Sequence, residues 1–258
     1  MFPVQQITQA LYNMPFGMAC LWALTWNVLI LLGCVAVGEL LIRLNRQHRV
    51  AEVPPPLTFT EVGLAVSTVV LNTLISVLGM WLWRMGWIHP VPFSLGRMLL
   101  DFGVFFLGMD LGMYVLHRVA HHPRIYPWAH LTHHKYENPR PLTLFVLNPL
   151  EVLGFGFLWL FAVLVYPATV EGMVLYLTFN VVFGLLGHVG VEPFPLGWIK
   201  RPVLKEISTS TFHAEHHQDS HHNYGFYTLI WDRLLGTLSP AYEEDFQRAR
   251  TQHFDSSD

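Results

Sequence analysis

Apolar residues run nearly without charge for long stretches, and those stretches have the length of bilayer-crossing helices. The run FGMACLWALTWNVLILLGCVAVGELLIRL, from Phe16 to Leu44, exceeds the ~20 residues a helix needs to cross a hydrocarbon layer of roughly 30 Å. It predicts a first span. Arg43, Arg46, His48 and Arg49 follow, and Pro54, Pro55 and Pro56 stop the helix. A second span is predicted from about Val62 to Trp83, closed by Arg84 and an interfacial turn at Trp87, His89 and Pro90. A third runs from about Leu99 to Leu116 and carries Asp101 and Asp110 within apolar sequence. A carboxylate alone in hydrocarbon is costly, so both are expected at an interface or turned inward to polar partners. From Val152 to Gly187 the chain is apolar again, interrupted near Tyr166, Pro167 and Glu171. One unbroken helix there would be about 54 Å long, nearly twice the bilayer core, so a hairpin of two helices is more economical. Two short helices that only partly enter the membrane are the alternative.

The stretch from His117 to Arg140 is too rich in histidine and proline to lie in lipid, and mixed polar sequence returns from Glu192. Interfacial helices are expected there, ending in a polar tail over 242–258. No cleaved signal peptide is expected, because the N-terminus lacks a basic region ahead of the apolar run. The fold class that follows is an all-α integral membrane protein. It has about four to five transmembrane or membrane-embedded helices under a histidine-rich helical cap, as a single domain over 1–258 with its chemistry concentrated in 110–237.

Composition sharpens this picture. Hydrophobic residues make up 52% and charged residues 13%, too little charge to disperse an ordinary soluble protein. The net charge of −3 comes without a basic stripe, which excludes nucleic acid as a partner. Cys20 and Cys34 share the first apolar run and read as packing residues rather than a disulfide. By the positive-inside rule the arginines at 43–49 mark the cytoplasmic side. Two further crossings return His117 to that side, and the hairpin returns His188 there, so all the histidine clusters are expected on one cytoplasmic face. The short polar segments favour a bacterial inner membrane, or the endoplasmic reticulum if the source is eukaryotic.

Of 15 histidines, 12 lie between His117 and His222. They form HRVAHH (117–122), HLTHH (130–134), the lone histidine of GHVG at 188, and HAEHHQDSHH (213–222). Helical spacing lets His117 converge with His121. It also gives His130, His133 and His134, and again His213, His216 and His217, two imidazoles on one face with a neighbour turned aside. Imidazole suits divalent first-row metals, and no paired-cysteine motif points to an iron–sulfur cluster or a cysteine-rich zinc site. Eight to ten imidazoles on four elements fit two metal ions that each keep an exchangeable position. His48, His89 and His253 stand alone and read as interfacial or surface residues. His122, His221 and His222 are either additional ligands or polar neighbours of the ligands. Glu215 and Asp219 either orient imidazole N–H groups or face solvent. Tyr114 and Trp128 read as lining or anchoring an apolar cavity.

Together with the following NYGFYTLIWDRLLGT, these boxes resemble the fatty acid hydroxylase and sterol desaturase superfamily of membrane di-iron enzymes, over about Asp110 to Thr237. The resemblance implies metal ligands at His117, His121, His130, His133, His134, His188, His213, His216 and His217, with His122 an alternative in the first box. It implies that Asn223, Tyr224, Gly225, Trp231, Asp232 and Arg233 organise the region behind the last box. It also implies two iron ions, dioxygen as co-substrate, and hydroxylation of a membrane lipid (fatty acyl, sterol or terpenoid) at an unactivated C–H bond, with desaturation as the alternative. Many members carry HPxE after the second box. This chain has NPLE, with Asn148 in place of the histidine and Glu151 retained. The sequence carries no fused haem or flavin signature, so electrons are expected from a separate electron-transfer protein or reductase; a homo-oligomer is compatible with the pattern. A divalent-metal transporter would place its ligands inside the spans rather than beside them, and a non-catalytic scaffold would not need intact boxes.

Overall fold

The structure, a computed structural model, describes residues 3–251; His253 and the end of the polar tail, 252–258, lie outside the described residues. The described chain is all helical apart from two isolated bridges. After a short helix α1 (Pro3–Asn13) come α2 (Phe16–Asn45), α3 (Phe59–Arg84) and α4 (Leu95–Ala120). The short α5 (Tyr126–Ala129) and α6 (Leu131–His134) precede the apolar pair α7 (Pro149–Val165) and α8 (Val170–Gly187). They are followed by α9 (Ser210–Gln218), α10 (Ile230–Leu235) and α11 (Tyr242–Thr251). Among the described residues, α2, α3, α4 and α8 are long and apolar enough to cross a membrane, and α7 is a shorter apolar helix. Their outward side chains are apolar: Leu21, Leu32 and Leu40 on α2, Val66 and Leu74 on α3, and Leu107 on α4 are all exposed. That is the surface expected where lipid, not water, is the solvent.

The predicted hairpin is present and breaks at Tyr166–Thr169, where Thr169 caps α8 by accepting from Gly172 N. Asp101, fully buried, fastens this turn. It accepts from Arg97 Nε (2.7 Å), Tyr166 Oη (2.8 Å), Thr169 N (2.7 Å) and Thr169 Oγ1 (2.8 Å). The amphipathic α1 is an element the apolar pattern did not announce. It lies at this end too, with Arg84 donating to the Leu11 carbonyl (2.7 Å) and Tyr12 set edge-on to Trp83.

At the opposite end of the bundle the cap gathers. Val50 N donates to the Gly190 carbonyl and Glu192 N to the His48 carbonyl, so the exits of α2 and α8 meet. His48 is buried there against the Ala249 carbonyl, so of its interfacial or surface reading the surface alternative does not hold; His89 is exposed as expected. Thr58 and Glu61 form a reciprocal cap at the start of α3, and Glu61 also pairs with Arg140 at 3.3 Å. Asn148 caps α7 and donates to the Trp128 carbonyl at 2.8 Å. One expected boundary moves: α4 runs on to Ala120, so His117 stands on the bundle's own helix rather than in the polar stretch after it. HRVA has no breaker, and the helix continues until His121 caps it.

Candidate metal centre

The histidines form two groups. His117, His121, His130, His134 and His216 make one; His133, His188, His213 and His217 make the other; within each, the ligand-capable atoms all lie within 4.8 Å of one another. Opposite corners of an octahedron with bonds of about 2.1 Å are about 4.2 Å apart, so each group is sized for a single ion. Neighbouring histidines serve opposite groups. Each residue in a helix turns about 100° from the one before, so His133 turns from the five-histidine group to the four-histidine group while His134 stays, and His217 does the same beside His216. The two groups abut where His134 and His217 stack, ring centroids 4.9 Å apart.

HLTHH is not one continuous helix, contrary to its spacing. His130 sits between α5 and α6 with φ −130°. This break turns its ring towards His117, Nε2 to Nε2 at 2.9 Å.

Backbone carbonyls hold the rings from behind. His117 Nδ1–H donates to Tyr224 O (2.9 Å), His133 Nδ1–H to Val146 O (3.3 Å), His188 Nδ1–H to Gly184 O (2.7 Å) and His216 Nδ1–H to His222 O (2.6 Å). A carbonyl only accepts, so each Nδ1 carries the proton and each Nε2 presents a lone pair to the interior. His133 and His188 then face each other lone pair to lone pair at 3.3 Å, with His213 Nε2 3.2 Å from His188 Nε2 and 3.2 Å from His217 Nε2. His134 Nε2 and His216 Nε2 stand 3.1 Å apart in the other group. Facing lone pairs repel, and a cation between them removes the repulsion. The donor set therefore fits a metal ion in each group, and the carbonyls are the usual outer partners of metal-bound imidazole.

Burial keeps the rings neutral. It pushes His134 and His188 down to about 4. His133, His213, His216 and His217 lie well below the imidazole range, through burial first and the charge of neighbouring imidazoles second. The folded state thus holds these histidines unprotonated where the unfolded chain, titrating near 6.5, takes up protons. Between about 6.5 and about 4 the unfolded state binds more protons, so stability of the metal-free chain falls as pH falls through that window. Chelator-treated protein is expected to melt several degrees lower at about pH 5 than at about pH 7.5; a melting temperature that holds or rises on acidification would contradict this.

The remaining candidates stand outside the two groups. His122 is exposed and its Nδ1 accepts from Arg124 N at 3.3 Å. Asp219 accepts from His221 Nδ1 and His222 Nδ1, each at 3.0 Å, and touches no imidazole of either group; His222 contributes its carbonyl rather than its ring. Glu215 turns away from the histidines and accepts from Asn223 Nδ2 at 2.9 Å. Tyr114 is buried and bonds Thr237, whereas Trp128 is largely exposed.

Two carboxylates stand behind the centre, Asp232 where the resemblance places it. Glu151 Oε1 lies 2.9 Å from His130 Nδ1, close but off the hydrogen-bonding direction, with both residues buried. Its signal was an acidic residue opening an apolar helix. Asp232 accepts from Tyr224 N (2.8 Å), Gly225 N (2.8 Å) and Thr237 Oγ1 (2.7 Å), which sets the Tyr224 carbonyl against His117. A Cβ at Gly225 would meet Thr228 O at 2.6 Å and Asp232 Oδ2 at 2.7 Å, so only glycine fits there. Asn223, at φ +60°, turns the chain into this loop, donates to Phe212 O and accepts from Ser239 N. Asp110, fully buried on α4, anchors the next residues by accepting from Tyr227 N (2.9 Å) and Trp231 Nε1 (3.1 Å).

The comparisons with known proteins agree with this site. A Delta(7)-sterol 5(6)-desaturase of Leptosphaeria maculans is 29% identical over 139 residues, covering 54% of this chain and 37% of that protein. Lathosterol oxidase of Homo sapiens is 28% identical over 152 residues, 57% of this chain and 48% of its own. A very-long-chain aldehyde decarbonylase of Oryza sativa subsp. japonica is 35% identical over 132 residues, 48% of this chain and 21% of its own. The chain thus matches less than half the length of these relatives. No solved structure matches it. The family model for fatty acid hydroxylase matches residues 102–237, just over half the chain and the whole span of the two histidine groups, and the chain belongs to this fatty acid hydroxylase and sterol desaturase superfamily of metal-dependent oxidoreductases.

Proposed function

We propose that this multi-pass membrane protein is a di-iron, oxygen-dependent lipid desaturase. The observation that carries the reading is the pair of abutting all-histidine groups at the cap end of an apolar bundle. His117, His121, His130, His134 and His216 would hold one iron and His133, His188, His213 and His217 the other. Iron bound there supplies the means to use dioxygen and electrons from an external donor to remove hydrogen from an unactivated C–H bond. The residues around it fix the imidazoles through Tyr224, Val146, Gly184 and His222 carbonyls, keep the rings neutral by burial, and leave a lipid-facing bundle as the route of supply. Soluble di-iron bundles of the ferritin type use carboxylate ligands instead.

The sequence favoured hydroxylation. The relatives' names shift the balance: the Leptosphaeria protein is a sterol desaturase, so removal of two hydrogens takes the lead over insertion of one oxygen. Hydroxylation stays as the second reading because the matching family model carries that name. The histidine cap faces the cytoplasm by the arginines after α2, in a bacterial inner membrane or, in a eukaryote, the endoplasmic reticulum. A separate reductase or electron-transfer protein meets it there.

Elemental analysis of detergent-purified protein tests the centre, beside a His133→Ala/His216→Ala double variant that removes one ligand from each group. The expected result is about two irons per chain, depleted in the variant. It is paired with oxygen- and reductant-dependent appearance of a new double bond in extracted lipid. A folded chain without metal, or product that forms without oxygen, overturns the reading.

A further inference from the structure

His117 and His130 are each only 2% exposed, while His121 of the same group is half-buried, so the two inner rings are reached only through a space that touches them. A cavity of about 90 Å³ does so, lined by His117, His130 and Glu151 at its inner end and by Leu116, Gly154 and Phe155 on its walls. A second, wider crevice of about 550 Å³ adjoins it and is lined by Tyr114, Arg118, His122 and Leu235. Val119 and Ile125 line both. The two spaces thus lie against the same two side chains, the inner one bounded also by Leu150, Gly154 and Phe155 of α7. No member of the four-histidine group lines either space.

The chemistry changes from one space to the other. The outer crevice offers a guanidinium and an imidazole and no carboxylate; the inner walls are hydrocarbon. A single water needs about 10–15 Å³ of such a cavity, so the inner cavity has room for a short run of chain carbons. Gly154 and Leu116 form one wall together: a Cβ on Gly154 would stand 3.4 Å from Leu116 Cδ2, in van der Waals contact, so a side chain there adds bulk to that wall.

We propose that Gly154 and Arg118 determine specificity: an anionic single-chain lipid enters between α4 and α7, its head held at Arg118 and His122, its chain passing Val119 and Ile125 to the His117–His130 face. This route rests on the proposed lipid oxidation for its purpose but not for its test.

The probe is palmitate carrying a chain diazirine, photolysed with iron-loaded protein in phosphatidylcholine nanodiscs, and the attachment sites are mapped by mass spectrometry. Label is expected on residues 116–125 and 150–155, saturable by unlabelled palmitate. Gly154→Leu should reduce it at least tenfold, with Gly154→Ala intermediate. Gly108→Leu, on α4 where a side chain meets nothing within 4 Å, should leave it unchanged. Arg118→Gln should weaken labelling by palmitate and spare labelling by the matching diazirine alcohol. Melting temperature and iron content are read on every variant, and the alanine variant carries the test if the leucine variant fails to fold. Labelling indifferent to Gly154→Ala and Gly154→Leu, or competed by cholesterol and not by palmitate, overturns the proposal. Labelling needs neither oxygen nor electrons, so the expected pattern without any oxidised product would retain the route and sink the desaturase reading. Product formation with labelling indifferent to Gly154 would do the reverse.

Discussion

Replacing His188 by alanine is expected to lower bound iron from about two per chain to about one and to reduce oxygen-dependent product by about a hundredfold or more. His188 Nε2 stands between His133 Nε2 at 3.3 Å and His213 Nε2 at 3.2 Å, at the centre of the smaller group. Without it that group has His133, His213 and His217 only and has lost the ring that stands between two of them, so its hold on the ion should fall steeply. The larger group keeps all five of its members, so one ion should remain. His121→Ala makes the contrasting case: four histidines are left in its group, and iron should stay near two per chain with a smaller fall in product. Metal analysis and product yield on the two variants, with exposed His89→Ala as control, check the assignment. Equal metal loss in both variants would mean that the groups do not bind separately.

Asp232→Ala is expected to cost on the order of 4 kcal/mol or more of stability and to release metal from the five-histidine group. Three buried donors, Tyr224 N, Gly225 N and Thr237 Oγ1, converge on this carboxylate, and each stranded donor costs about 1–3 kcal/mol. The functional loss follows from the same contacts. They fix the Tyr224 carbonyl that holds His117 Nδ1; freed, the ring no longer presents Nε2 inward. Asp232→Asn keeps an acceptor and should fall between wild type and alanine. Denaturant unfolding in detergent and iron content check both variants. An alanine variant with unchanged stability would show that the loop is held by other means.

The pattern of apolar runs announced the long helices because a bilayer demands length and hydrophobicity together: the first span was expected to end at Leu44 and ends at Asn45, and the hairpin breaks at the expected Tyr166. The histidines themselves were legible as a metal-binding set. Their distribution between groups was not. A spacing rule places His133 aside from His130 and His134, but whether a ring turned aside meets solvent or a second ion depends on what stands opposite; here His188 and His213 do. His122, turned aside in the same way, meets solvent. The break at His130 was hidden because HLTHH contains no proline or glycine, and tertiary contacts with His117 outweigh local helix preference. Carbonyl acceptors such as Val146 O and Gly184 O carry no sequence signal at all, since every residue but its fold-determined neighbours could offer one. Asp110, expected to turn inward or meet an interface, accepts from the Tyr227 backbone, and Glu151, the acid retained in NPLE, stands beside buried His130.

The alternation of His133 with His134 and of His216 with His217 also governs how the centre fills. Ordering a ring costs rotamer entropy, and ordering backbone costs more. An ion in either group would fix two stretches of main chain that the other group uses as well. A second ion would then meet imidazoles whose freedom has already been surrendered, at a smaller entropic loss. Occupancy of one group would in that sense favour occupancy of the other through two adjacent peptide units, without any movement between helices.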